Sequence, residues 1–114
     1  MNHWVKLAAF AVALLMTILI STVVKAEDKV NSESCTYKDF KLYGKVQIVN
    51  SSPDFKVKEV DAFADLHVQR VDDFPDACGK WKIVDDFPDF KVQLVDSFPD
   101  LEVKFVDAFP GVPE

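Results

Sequence analysis

From residue 44 onward, apolar and polar positions recur with a period of eleven. Six units follow one another: GKVQIVNSSPD (44–54), FKVKEVDAFAD (55–65), LHVQRVDDFPD (66–76), GKWKIVDDFPD (79–89), FKVQLVDSFPD (90–100) and LEVKFVDAFPG (101–111), interrupted only by Ala77 and Cys78. Each unit has eleven columns, numbered from its first residue. Column six is Val throughout (Val49, Val60, Val71, Val84, Val95, Val106), and column three is Val except for Trp81. Column nine is Phe except for Ser52, and column ten is Pro except for Ala64. Column one reads Gly44, Phe55, Leu66 and then again Gly79, Phe90, Leu101, so a 33-residue triplet is used twice with an offset of 35. Such self-similarity marks a repeated structural unit.

Within a unit, columns one, three and five alternate with polar columns two and four, as in Phe90-Lys91-Val92-Gln93-Leu94. This is the period-two pattern of a half-buried strand. Val in column six breaks the alternation and begins a corner that is expected to turn both it and the column-nine Phe inward. Asp-x-Phe-Pro-Asp then supplies the turn, since Pro has no N–H to offer a ladder and Asp accepts bonds from nearby backbone N–H groups. Pro in nearly every unit and the dominance of β-branched Val disfavour helices. The expected class is all-β: six short strand-turn units in two related halves. Eleven residues are too few for one coil of a wide three-sided β-helix. Either two units make a coil, as in a solenoid, or the strands wind as a compact ring. Glu59 and Arg70 stand in column five where later units carry Leu94 and Phe105, so the first half is expected to be the looser one.

The amino-terminal part has a different pattern. Lys6 precedes an apolar run from 7 to 24 broken only by Thr17, Ser21 and Thr22, and Val24-Lys25-Ala26 ends it with small residues in the spacing read by a signal peptidase. A basic start, an apolar centre and this ending are the parts of a secretory signal over 1–26; an uncleaved anchor is the rival. The expected organisation is therefore a signal over 1–26, a short polar linker over 27–34 and a repeat domain over 35–113. Cleavage would remove Lys6 and Lys25 and take the net charge from −6 to −8. An acidic surface of that kind argues against nucleic-acid binding. With 49% hydrophobic, 12% aromatic and 28% charged residues, the chain is not of disordered composition.

So small a domain benefits from a cross-link. Cys35 and Cys78 are the two cysteines, and each leads into one half of the duplicated pattern. In an oxidising compartment an even count without metal-ligand spacing reads as one disulfide.

The elements LYGKVQIV, ACGKWKIVDDFPD, FKVQLVDSFPD and the terminal FPGVP resemble the bacterial 7(1) septoil knot domain family over about 35–113. The resemblance implies a small β-rich domain with a backbone wound as a seven-crossing torus knot. It carries no functional residues.

Chemistry is sparse. His67, the one histidine after 1–26, sits in column two, where other units carry Lys or Glu, and reads as a solvent-facing residue rather than a catalytic base. Asp72/Asp73, Asp85/Asp86 and the Asp of columns seven and eleven could serve a carboxylate-dependent hydrolase, but their repetition in nearly every unit reads as turn chemistry. Stacked Asp could also hold calcium, although the Gly-rich pattern of calcium β-rolls is absent. Trp81 and the Phe column offer a sugar-stacking face; Trp81, standing for Val in an inward column, is expected to fill the core instead. No catalytic, cofactor-binding or metal residue is assigned, and no cofactor is expected. The expectation is an exported, non-catalytic structural or binding domain, soluble once 1–26 is removed, whose partner is a protein or other component of the envelope or extracellular space.

Overall fold

The computed structural model describes residues 29–113; the signal read over 1–26 lies outside them. Eight strands and no helix are present among the described residues: β1 (Thr36–Tyr37), β2 (Phe40–Lys41), β3 (Gly44–Ile48), β4 (Phe55–Glu59), β5 (Leu66–Arg70), β6 (Lys80–Ile83), β7 (Phe90–Leu94) and β8 (Leu101–Phe105). The all-β expectation holds, and each repeat contributes one strand. β1 and β2 form a small antiparallel hairpin, while β3–β8 close into a barrel with the order β3-β6-β5-β8-β4-β7. The ring, not the solenoid, is the architecture.

Every ladder in the barrel is parallel, and every neighbour of a strand comes from the other half of the repeat. The chain advances two ring positions at each connection within a half, leaving a slot between successive strands. The connection from β5 to β6, which carries the inserted Ala77 and Cys78, advances only one position. That odd step drops the second half into the slots of the first. Column three of one strand faces column one of the next, or the same two-residue stagger applies, at all six interfaces, so the six strands have a shear of twelve and tilt steeply. The ring is sealed by one repeated bond: each column-six N–H donates to the column-three carbonyl of the adjacent strand, Val49 to Val92, Val95 to Val57, Val60 to Val103, Val106 to Val68, Val71 to Trp81 and Val84 to Val46, at 2.8–3.0 Å.

Columns one and three fill the interior. The five column-three valines and Trp81 are buried, as are Phe55, Leu66, Phe90 and Leu101 of column one. Interleaving two copies of Gly-Phe-Leu sets like beside like around the ring: Phe55 stacks on Phe90 at 5.4 Å, Leu66 lies on the strand beside Leu101, and Gly44 on the strand beside Gly79. On the glycine side Trp81 and the buried Leu42 occupy the space. Trp81 Nε1 donates to the Leu42 carbonyl at 3.1 Å, and its ring meets Phe90 edge-on at 5.6 Å. Trp81 is core filler, as expected from its column.

The strand-start end of the barrel is capped. Tyr37 and Phe40 of the hairpin lie against Phe55 at 5.4 and 5.6 Å. Val30, Cys35 and Leu42 complete the buried cluster, so part of the segment read as a linker over 27–34 belongs to the core.

Two expectations about side-chain direction are corrected. Column five does not line the core: Ile48, Ile83 and Leu94 are 39–45% exposed and Glu59 and Arg70 are also exposed, because the barrel opens at this level. Charges there cost little, and the first half packs as tightly as the second, with Val46, Val57, Leu66 and Val68 fully buried. The column-nine Phe, expected to turn inward, points into solvent at every occurrence.

Candidate functional site

Except after β5, whose connection leads to the adjacent β6, the two ends of each column 6–11 connection lie on opposite sides of one strand of the other half. The segment after β3 leaves from one edge of β7, where Val49 N–H bonds the Val92 carbonyl, and returns at the other, where Asp54 N–H bonds the Lys91 carbonyl. The interior is filled, so the connection must cross the outer face of β7. Column-four glutamines hold three such crossings from beneath: Gln93 Nε2 donates to the Asn50 carbonyl at 3.1 Å, Gln47 to Asp85 at 2.9 Å and Gln69 to Asp107 at 3.0 Å.

At the middle of these connections stand the phenylalanines. Phe63, Phe74, Phe87, Phe98 and Phe109 are 78–98% exposed, and each has a left-handed backbone with φ of 52–57°. That region costs a bulky residue on the order of 1 kcal/mol. Phe63 precedes Ala64 rather than Pro and has the same φ, so proline does not impose the conformation. Ser52 in the first unit adopts it too, at φ 53°. The loop therefore closes without an aromatic ring. Large apolar side chains in solvent on strained backbone, at five related points around a barrel, form the most pronounced chemical feature of the surface.

Cys35 and Cys78 form a disulfide, S–S 2.03 Å, that ties the hairpin cap to the odd step between halves. His67 is half-buried on β5, and its N–H and carbonyl bond Gly111 at 2.8 and 2.9 Å. The column-eleven aspartates do more than turn the chain. Oδ2 of Asp54, Asp65, Asp89 and Asp100 accepts the backbone N–H of Lys91, Glu102, Lys45 and Lys56 at 2.7–2.8 Å, while each Asp N–H donates to the carbonyl of the same residue. Gly111 repeats this clamp on His67 with its own carbonyl in place of a carboxylate. Asp76, next to the inserted residues, instead bonds Phe74. Asp72, Asp73, Asp85 and Asp86 are exposed. Among the described residues no group of three His, Cys, Asp or Glu side chains converges as a metal site would. Sequence reasoning missed the exposed Phe column; the serine among its members is the signal that could have found it, since an interior column would not carry one.

A cavity of about 750 Å³ lies at the capped end between Lys29, Val30, Cys78 and the carboxyl-terminal segment 110–113. Smaller hollows of about 340 and 300 Å³ lie at the open end, on either side of Glu59.

A six-stranded, all-parallel closed barrel made from two interleaved halves of an eleven-residue repeat defines a narrow structural class. Comparison with known families agrees with it: the profile of the 7(1) septoil knot domain matches residues 39–113, and the chain belongs to that family. It is also similar to the "Uncharacterized protein slr1025" of Synechocystis sp. (strain ATCC 27184 / PCC 6803 / Kazusa), with 48% identity over 67 residues, 59% of this chain and 60% of that protein. The chain thus spans less than two thirds of that relative's length.

Proposed function

We propose that this chain is an exported, non-catalytic binding domain that engages an envelope or extracellular protein through its girdle of exposed phenylalanines. The observation that carries this reading is Ser52: it shares the φ of the five Phe residues, so the rings are not needed to make the turn. They cost exposure and strain, and contribute nothing visible to the core. Phenylalanine has only two side-chain torsions to restrict on binding, and aromatic anchors dominate protein–protein recognition. Export is supported by the signal-like 1–26 segment and the Cys35–Cys78 bond. Against a hydrolase or calcium module, the column-eleven carboxylates are already occupied in clamping neighbouring strands.

The test replaces Phe63, Phe74, Phe87, Phe98 and Phe109 together with Ser, the residue the first unit uses. Wild-type protein should co-sediment with isolated envelope fragments of the producing cell. The five-serine variant should fold with an unchanged circular dichroism spectrum and remain in the supernatant. A variant that sediments as well as wild type would overturn the reading. Intact-mass measurement of the isolated protein tests export separately: it should begin at Glu27, and retention of Met1 would count against cleavage.

A further inference from the structure

The open end of the barrel differs in character from the rest of the molecule. Its rim is made by column five, which reads around the ring Ile48 (β3), Leu94 (β7), Glu59 (β4), Phe105 (β8), Arg70 (β5) and Ile83 (β6), with the half-buried column-six valines behind. On a chain with 19 acidic and 13 basic side chains, column five carries one charge of each sign. The two flank a single aromatic ring, and the Arg70 guanidinium lies 4.3 Å from the Phe105 centroid. Of the acidic column seven, Asp96 and Asp107 line the hollows on either side of Glu59, while Gln47 and Gln69 hold the Asp85 and Asp107 carbonyls against the outer wall. Lys29 and residues 110–113 meet beside Cys78 at the opposite, capped end, so neither end of the described chain obstructs the rim.

The order of these residues is self-complementary. Place a second barrel mouth to mouth with the first, related by a two-fold axis across the ring through the β8 and β3 positions. Phe105 then meets Phe105, Ile48 meets Ile48, Leu94 meets Ile83, and Glu59 meets Arg70, each pairing occurring reciprocally as an isologous contact requires. Among the column-five residues no apolar side chain faces a charge, and no like charges oppose. Of the three two-fold axes that pass through opposite strands, only this one pairs Glu59 with Arg70.

We propose that two copies of this chain associate end to end through the open mouths of their barrels, about a two-fold axis between the two Phe105 rings. The inference is independent of the phenylalanine girdle, which lies on the outer wall. The face is smaller than the roughly 20–30 residues a side of a stable complex, so the dimer is weak and depends on concentration.

Sedimentation velocity of the protein as isolated from cells, from about 10 µM to about 1 mM, reads the association directly. The mean mass should rise towards twice the monomer. Glu59→Arg and Arg70→Glu should each raise the dissociation constant by about tenfold or more, because each sets two like-charged pairs across the axis. An equimolar mixture of the two variants should regain wild-type association, since every pair is then again of opposite sign. Leu94→Asp, which uses neither charge, should weaken association equally. A wild-type protein that stays monomeric across the whole range, single variants that associate like wild type, or a mixture that does not recover would each overturn the proposal. Association through the apolar amino-terminal segment would be indifferent to all of these substitutions and would also overturn it.

Discussion

Asp54 and Lys91, 37 residues apart in sequence, hold each other by two hydrogen bonds: the Asp54 carboxylate accepts the Lys91 N–H at 2.7 Å, and the Asp54 N–H donates to the Lys91 carbonyl at 2.9 Å. The pair fastens the start of β4 to β7, and thus the first half of the repeat to the second. Asp54→Ala keeps the backbone bond and leaves the Lys91 N–H without its charged acceptor. A loss of about 1–2 kcal/mol is expected. Asp76→Ala, which removes no such clamp, should stay within about 0.5 kcal/mol of wild type. Urea midpoints of the two variants make the comparison, and equal losses would show that the carboxylates act only within their own turns.

The exposed phenylalanines should be costly to the fold. Phe98→Asn puts in a residue that tolerates the left-handed region, with no buried contact to lose. It is expected to stabilise the domain by about 0.5–1 kcal/mol, a rise of a few degrees in Tm for a domain of this size. A fall in Tm by calorimetry would mean that the ring has a packing role.

The disulfide joins positions 43 apart in sequence and fixes the hairpin cap to the step at which the two halves interlock. The chain-entropy account values such a loop at about 4 kcal/mol. The Cys35→Ala, Cys78→Ala double variant should therefore denature at a clearly lower urea concentration than the oxidised protein. An unchanged midpoint would assign the stability to the closed ring of backbone bonds alone.

Gly79 has φ +81°, and a Cβ there would strike the His67 carbonyl and lie 2.7 Å from the Gly111 nitrogen. Backbone cannot swing aside as a side chain can. Gly79→Ala should cost at least about 2 kcal/mol. At Gly111 the nearest atom to such a Cβ is Cys78 Sγ at 3.8 Å, so Gly111→Ala should cost less. Thermal melts of both variants rank them.

Strand positions were legible because period two identifies which residues share a face: columns one and three are the core, with Trp81 in place of a valine. The same rule failed at Ile48 and Leu94, since alternation says nothing about where a barrel ends. Phe63 and its equivalents failed for another reason. Hydrophobicity suggested an interior, whereas the connection that carries them must pass outside a filled barrel. The 33-residue period pointed to two halves but not to their interleaving. Parallel partners drawn wholly from the other half leave no trace in local pattern, although the displaced register at Ala77 and Cys78 marks the step that makes it possible. The Cys35–Cys78 bond followed from an even count and the expected compartment. The rim order around Phe105 required the strand order, which no single repeat contains.

Because each barrel strand takes both neighbours from the opposite half, neither half holds a single ladder of its own. During synthesis, then, the first three units have nothing to pair with, and the last slot is filled only when β8 has been made. Contacts spanning some forty residues also make for slow closure. A nascent chain of this design can form no barrel ladder until its fourth unit is made, and it cannot close the ring until its sixth is delivered.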